Sequence, residues 1–335
     1  MNYLVSILVP IYKVEQWIEK CATSLLRQSY ENIEYVFVDD CSPDNSIDVL
    51  KNTIKRYPKR SSQCKIIRHV NNKGLSGARN TALNNANGVF VLHVDSDDWL
   101  ETDAVSVLVQ KQIETDADIV SGNALQHLPN HNISIQEPEY SDKYSMLQYV
   151  FDFHAPLNHT IWRRLIRKSI YTDNHLVLKE GVNQGEDFQM LPKLIYYAKR
   201  CEKVNQVVYN YNCLNVNSYM YNRKTNTNLW LQDIASYKII ESFFDDKELF
   251  LKQASVEAMI WDYYNYYLQA AKFGEKEIWL DIKKTIDRYD NHYHSIIGWN
   301  KPIKKLFISN YSFLGCFLRI RSMIYSFYLK KIKKS

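Results

Sequence analysis

Short apolar runs alternate with stretches of helical spacing along the first third of the chain. Residues 3–9, YLVSILV, are almost uniformly apolar and are stopped by Pro10, which predicts a strand buried on both faces. From Val14 to Gln28 the apolar positions Val14, Trp17, Ile18, Cys21, Leu25 and Leu26 recur at helical spacing. A second strand is predicted over 33–38 and a helix over 47–57, with Asp44 or Ser46 placed to cap it. Residues 64–70 read as a third strand. A glycine-containing loop, Asn71 to Asn80, then leads into a short helix over 78–86 that Gly88 would close as a C-cap. A fourth strand over 89–94, a helix over 103–115 and a fifth strand over 119–122 complete the alternation.

Strand and helix alternating at this spacing predict an α/β fold, a sheet parallel over most of its extent with helices on both faces. Three predicted strands end in polar clusters: Pro10-Ile11-Tyr12, Asp39-Asp40 and Asp95-Ser96-Asp97-Asp98. In a parallel sheet these ends share one edge, and ligands bind beyond it. Three carboxylates within four residues repel one another unless a cation lies between them. The alternative for the acidic cluster taken alone is a solvated turn. Convergence of three such ends favours a site.

The second half is less regular. Residues 127–140 predict a loop or an edge hairpin, 144–153 a helix, and 161–170 a basic amphipathic piece. Gly185-Glu186-Asp187 precedes an apolar helical run, and an acidic pair there would also complement the helix dipole. Residues 207–211 alternate as a strand does. From Leu229 onward the spacing is helical, and Tyr263, Tyr264, Tyr266 and Tyr267 are expected to pack between helices.

Composition is that of a globular protein, with 46% hydrophobic and 24% charged residues among 335, enough for one large or two ordinary domains. The six cysteines form no C-x-x-C pair, so neither a zinc site nor a disulfide framework is indicated, and scattered thiols suit a reducing compartment. Neither a signal peptide nor an apolar stretch of about 20 residues is found. The net charge of +5 is unevenly placed: nine Lys or Arg follow Asp290, the last acid, which leaves the first 290 residues at −4. Residues 301–335, acid-free and with aromatic and aliphatic groups among the cations, suit an anionic membrane surface. A helix packed on the rest of the chain is the alternative. No nucleic-acid recognition motif accompanies the charge.

Taken in order, Val9-Pro10-Ile11-Tyr12, Val38-Asp39-Asp40-Cys41-Ser42, Gly74-Leu75-Ser76-Gly77-Ala78-Arg79-Asn80, Asp95-Ser96-Asp97-Asp98, Gly185-Glu186-Asp187 and Tyr209-Asn210-Tyr211 with Asn217-Ser218 make the chain resemble a bacterial, polysaccharide-type family 2 glycosyltransferase with the GT-A fold. The resemblance covers roughly residues 3–220. It implies a GT-A (Rossmann-like) catalytic domain over 1–220 and a helical C-terminal region over 221–335.

The resemblance also implies a reaction. A sugar moves from a nucleotide diphosphate donor, most often UDP-linked, to a hydroxyl of a glycan or lipid-linked acceptor, with inversion and with Mn²⁺ or Mg²⁺. Hexosyl or N-acetylhexosaminyl transfer in cell-surface polysaccharide synthesis is the expected class, at the inner face of the cell membrane or in the cytoplasm. Pro10, Tyr12 and Asp40 match positions that hold the base, Asp95 faces the donor, Asp97 is the metal ligand, and Asp187 is the general base. Arg79 stands where donor or diphosphate contacts occur. Trp99, Asp98 and Glu186 are candidates for acceptor binding, with a core tryptophan and a helix cap as the alternatives for the first two. The chain departs from the pattern at Lys13, where Asn is common, and at Arg163-Arg164, where a Lys is common; a solvated helix face is expected for this pair, a diphosphate contact being the alternative. His154 and His159 could border an acceptor pocket or serve structure alone. A sugar nucleotidyltransferase or a non-catalytic sugar-nucleotide binder would share the fold. The first lacks its glycine-rich opening loop here, and the second would not need both acidic motifs.

Overall fold

The computed structural model describes residues 2–152, 155, 157–215 and 226–288. His154, Asn217-Ser218, the expected boundary at 220 and the basic segment 301–335 lie outside the described residues. The chain divides into two compact units, residues 1–243 and 244–335.

The first unit is built on a mixed sheet. Its strands are β1 (Val5–Ile11), β2 (Ile33–Asp39), β3 (Cys64–Arg68), β4 (Phe90–His93), β5 (Trp99–Leu100), β6 (Ile119–His127), β7 (Asn132–Ile135), β8 (Arg164–Arg167) and β9 (Cys201–Asn212). The order is β3-β2-β1-β4-β8-β6-β9-β5, with β7 paired to β6 as the edge hairpin expected between 127 and 140. β1, β2, β3 and β4 run parallel, and β6 pairs with β9 in parallel, whereas β8 runs antiparallel to both β4 and β6. All seven residues of β1 are buried, which explains why its sequence is a continuous apolar run instead of an alternation.

A proline in a central strand removes a ladder donor. Pro10 is tolerated because of where β4 ends. Leu4 and Leu8 accept from Val89 and Val94 on the β4 side, and Ile11 accepts from Asp40 beyond β2. By alternation Pro10 faces the β4 side. The β1–β4 register stops at Leu8 and His93, so no partner waits for the missing N–H. The sheet opens at this point, and the opening is where the site lies.

Helices α1 (Ile18–Leu26), α2 (Ser46–Lys55), α3 (Pro58–Ser61), α4 (Gly74–Asn84), α5 (Ala104–Thr115), α6 (Lys143–Phe151), α7 (Ser169–Asp173), α8 (Glu186–Tyr197) and α9 (Thr227–Phe244) connect and cover the strands. Asp44 accepts from the backbone and hydroxyl of Ser46 at the start of α2. Two expectations change. α4 begins at Gly74, a turn before the predicted start, so the glycine loop is itself the first turn of the helix. Gly88 does not end that helix, which is closed at Asn85. It is glycine because β1 passes so close that a Cβ would lie 2.6 Å from Ser6 Oγ and 2.8 Å from Leu4 O.

Arg163 and Arg164 correct a further expectation. They lie on no solvated helix face; Arg164 opens β8, and both side chains are fully buried around Glu137. Arg163 Nη2 lies 2.9 Å from Glu137 Oε2, Arg164 Nη1 pairs with Oε1, and Tyr140 donates to Oε1 at 2.6 Å. Carbonyls of Gly122, Leu157, Asn158 and Thr160 accept further guanidinium protons of the pair, and Arg163 Nε is left buried without a partner among the described residues. Helix-like spacing misled here because a strand that buries cations through a partner distant in sequence has no periodic signature. Replacing Glu137 by Gln leaves two buried guanidinium groups without their counter-charge and is expected to destabilise the fold by about 3–5 kcal/mol. Glu139→Gln, which removes an exposed partner of Lys203, should change stability by less than about 1 kcal/mol. Chemical denaturation of the two variants makes the comparison; equal midpoints would show that the triad carries no such weight.

The second unit contains α10 (Leu249–Phe273) and α11 (Lys276–Arg288). Tyr263, Tyr266 and Tyr267 are buried, and Tyr267 stacks on Trp279 of α11 with ring centroids 5.0 Å apart. Tyr267 thereby takes the interhelical packing role expected of the cluster. No helix among the described residues is long and apolar enough to cross a membrane.

Candidate active site

The carboxyl edge of β1 and β2 carries two loops tied to each other. Lys13 N donates to Ser42 Oγ at 2.9 Å, Val14 N to Ser46 Oγ at 3.0 Å, and Glu15 N to Asp44 Oδ2 at 3.0 Å. Both loops contain a non-glycine residue in the left-handed region, Lys13 at φ 55° and Cys41 at φ 58°. Such backbone persists only when its surroundings hold it, as these cross-loop bonds do. The result presents the Tyr12 ring, 41% exposed, at the mouth of the edge. Asp40 lies beneath, buried, and its Oδ1 accepts from His69 Nδ1 at 2.7 Å and from Lys73 N at 2.8 Å. Lys73 immediately precedes α4, so the Asp40 pocket and the helix that carries Arg79 are joined.

Arg79 is the centre of the site. It is 1% exposed and meets three carboxylates. Nη2 donates to Asp95 Oδ1 at 2.8 Å, and Nη1 donates to Glu186 Oε1 at 2.9 Å and to Asp187 Oδ1. Four of the residues singled out from sequence are thereby brought together, from β4's end, α4 and the first turn of α8. One cation facing two buried acids and the half-buried Asp95 leaves excess negative charge. Burial, and then Asp187, push the Glu186 carboxyl up to about 8. The Asp187 carboxyl is also raised, chiefly by burial, although Arg79 opposes the shift. The backbone of Ile161 also bonds the Asp187 carboxylate, and a buried carboxylate with a raised pKa is a competent proton acceptor.

The first turn of α8 is held from behind by α9. Gln232 Oε1 accepts from Asn183 N and Gln184 N, and Ser236 Oγ donates to Gln184 O. Gly185 sits at φ 72°, and a Cβ there would lie 2.9 Å from Asp233 Oδ1. Only glycine makes the turn that aims Glu186 and Asp187 inward. Their helix-dipole role and their place on Arg79 coincide, since both follow from the first turn pointing at the sheet edge.

The three acids of the strand-end turn have separate fates. Asp95 belongs to Arg79. Asp98 is 1% exposed, and its oxygens accept from Tyr209 OH at 2.7 Å and from Asn212 N at 2.7 Å. Burial raises its pKa well above the usual range, with Asp97 and Asp95 adding to the effect. It is therefore enclosed by the protein, which removes it from the acceptor contact considered for it. Asp97 remains partly exposed, held through Oδ2 by Asn215 Nδ2 at 2.8 Å. Burial and the charge of Asp95 push its carboxyl up to about 6. Trp99, next in sequence after Asp98, is half-buried. Lys20 Nζ lies 2.9 Å from its ring centroid and His127 packs at 4.5 Å, so cation and imidazole already occupy much of the ring expected to offer a sugar platform. His159 packs edge-on against Phe188.

Among the described residues, no group of three or more His, Cys, Asp or Glu could enclose a metal ion by itself. The donor chemistry nevertheless fits a hard cation that takes one or two carboxylates and completes its shell with phosphate oxygens and water. Asp97 is the acid of the turn that reaches solvent and whose charge no cation matches among the described residues. Sequence reading missed Asn212, Asn215 and His69, and placed Tyr209 in a motif without giving it a role. The last strand was recognised by its alternation, but amides and a phenol carry no charge signal that would link them to acids more than a hundred positions earlier.

The family model for glycosyl transferase family 2 matches residues 6–173, half of the chain. An uncharacterized glycosyltransferase of Bacillus subtilis, EpsJ, is 30% identical over 218 residues, covering 62% of this chain and 60% of its own length. The chain spans no more than 60% of the length of the first curated relatives that it matches. The fold is similar to that of Staphylococcus aureus TarS 1–349 in complex with UDP-GlcNAc, with a TM-score of 0.57 at 17% identity over 86% of this chain and 92% of that one. It is equally similar to the Pyrobaculum calidifontis mannosyltransferase PcManGT in complex with GDP-Man and Mn²⁺, with a TM-score of 0.57 at 14% identity over 96% and 88% of the two chains. Sheet order, acidic edge and family match agree, and this chain belongs to the family 2 glycosyltransferases.

Proposed function

We propose that the chain is an inverting, metal-dependent glycosyltransferase that takes a sugar from a nucleotide diphosphate donor, UDP-linked in preference, and passes it to a hydroxyl of a glycan or lipid-linked acceptor in cell-surface polysaccharide synthesis. The observation that carries this reading is the meeting of Asp95 and Asp187 on the buried Arg79 at the carboxyl edge of the sheet. Donor-facing acid and general base are thus held in one rigid cluster. The exposed Tyr12 ring offers a stacking face for the base, with Pro10 shaping the backbone beneath it and Asp40 ready to accept a base N–H. TarS, of similar fold, binds UDP-GlcNAc.

Asp97 would hold Mn²⁺ or Mg²⁺, which when bound neutralises charge on a leaving diphosphate. The remaining work falls to the chain. Asp187 accepts the acceptor hydroxyl's proton as its oxygen attacks the anomeric carbon and the bond from that carbon to the phosphate oxygen breaks. Arg79 keeps the Asp187 carboxylate in place for this transfer. A base of this kind contributes about 10²–10⁴-fold. No covalent intermediate is required, and the site offers no activated serine or cysteine among the described residues. Segment 301–335 suits an anionic membrane surface, where a lipid-linked acceptor would be found.

The test is a thermal-shift screen of nucleotide sugars with and without Mn²⁺. Ligand at 100 times its dissociation constant stabilises by about 2.7 kcal/mol. One UDP-sugar with Mn²⁺ is expected to raise the melting temperature by several degrees, and Asp97→Ala should lose the part that depends on Mn²⁺. An equal shift without the metal overturns the metal assignment, and no shift with any nucleotide sugar overturns the donor class.

A further inference from the structure

We propose that Asn215 is a positioning residue that orients Asp97 for the divalent cation, and that the end of β9 thereby sets the metal affinity of the site. The inference rests on the metal reading given above and adds to it a residue that no acidic motif contains.

The turn that bears the acids is clasped from one side by the end of β9. Tyr209 OH accepts from Asp95 N at 3.1 Å and donates to Asp98 at 2.7 Å. Asn212 N donates to Asp98 Oδ1, and Asn212 Nδ2 donates to Asp97 O at 3.1 Å. The orientation of the Asn212 amide is settled by Leu214 N, which donates to its Oδ1 at 3.1 Å. Asn215, 7% exposed, then directs Nδ2 at Asp97 Oδ2 at 2.8 Å. Backbone and side chain of Asp97 are thus both fixed from the same segment. A donor on one oxygen fixes the rotation of the carboxylate and with it the direction of the remaining lone pairs.

The chemistry of the partner matters as much as its place. Asp95 shares the Arg79 guanidinium, which offsets part of its charge. Asp97 is matched by a neutral amide, which orients the carboxylate and leaves the charge available to a cation. A lysine or arginine in the place of Asn215 would occupy the position electrostatically. Outer partners of metal ligands have a known weight: their loss costs about 10–100-fold in metal affinity or activity.

The measurement is Mn²⁺ binding, followed by electron paramagnetic resonance of the free ion in the presence of UDP or GDP, whichever raises the melting temperature of the wild-type chain. Asn215→Ala is expected to weaken Mn²⁺ by about 10–100-fold. Asn215→Leu, close in shape but without a donor, should weaken it by a similar factor while filling the space, which guards against a packing defect. Melting temperature without metal is recorded in parallel. Lowered stability with unchanged Mn²⁺ affinity would mean a structural tether only and overturns the proposal. So does wild-type affinity in both variants alongside loss in Asp97→Ala, which leaves the metal reading intact. Absence of any Mn²⁺ binding by the wild-type chain overturns both together.

Discussion

An Asp187→Asn enzyme will bind its nucleotide-sugar donor about as tightly as the wild type and transfer the sugar about 10²–10⁴-fold more slowly. The amide keeps the shape of the carboxylate and its place on the first turn of α8, but it cannot accept the acceptor's proton. The pH profile gives a second readout. Burial raises the Asp187 carboxyl above its ordinary range. The wild-type rate at low substrate should therefore climb as pH rises and Asp187 loses its proton, with the climb displaced upward from the usual aspartate range. In the variant that limb disappears. Comparable turnover in the two proteins would place the base elsewhere, and a large loss of donor affinity would show that Asp187 serves binding instead of proton transfer.

Arg79→Met is expected to have the largest combined effect. It leaves the buried Glu186 and Asp187, with the half-buried Asp95 beside them, without a cation, at about 3–5 kcal/mol of stability, and it frees both the donor-facing acid and the base from their common anchor. Transfer should fall below detection. Arg79→Lys should recover part of the stability and little of the activity, because an ammonium cannot bond three carboxylates through two separated nitrogens. The sign of the pH dependence follows from Glu186. Its folded pKa is raised to about 8, so over the interval from the ordinary glutamate range up to about 8 the folded chain retains a proton that the unfolded chain releases. Stability therefore declines as pH rises through that interval. The decline should be steeper in Arg79→Met, and Glu186→Gln in the wild-type background should flatten it. Melting temperatures between pH 5 and pH 9 measure all three; an Arg79→Met protein as stable as wild type at pH 8 would sink the account.

Much of this site was legible before any coordinates. Strand ends in a parallel sheet converge by geometry, so Tyr12, Asp40 and the Asp95–Asp98 turn could be placed on one edge from spacing alone. Asp187 was separable from a simple helix cap only through its motif, since an acidic first turn is common to many helices. The errors have a shared origin. Arg163 and Arg164 looked like a solvated cationic face because no local pattern announces a buried counter-ion, and Glu137 lies in a stretch that reads as loop. Gly88 looked like a helix terminator because the pressure on it comes from a neighbouring strand, not from its own helix.

The sequence by itself determined the parallel core, the acidic edge, the family and the identity of the charged residues, because these depend on period, strand-end chemistry and motif order. Tertiary structure alone decided how the charges are shared. Arg79 and Asp187 are 108 positions apart, and Asp97 and Asn215 are 118 apart. Which acid receives the cation, which is enclosed by a phenol and a backbone amide, and which is left oriented by a neutral donor depends on β4, α4, α8 and the end of β9 meeting at the opening beyond Pro10. Charge is a property of each residue, whereas its neutralisation belongs to the neighbours that folding supplies.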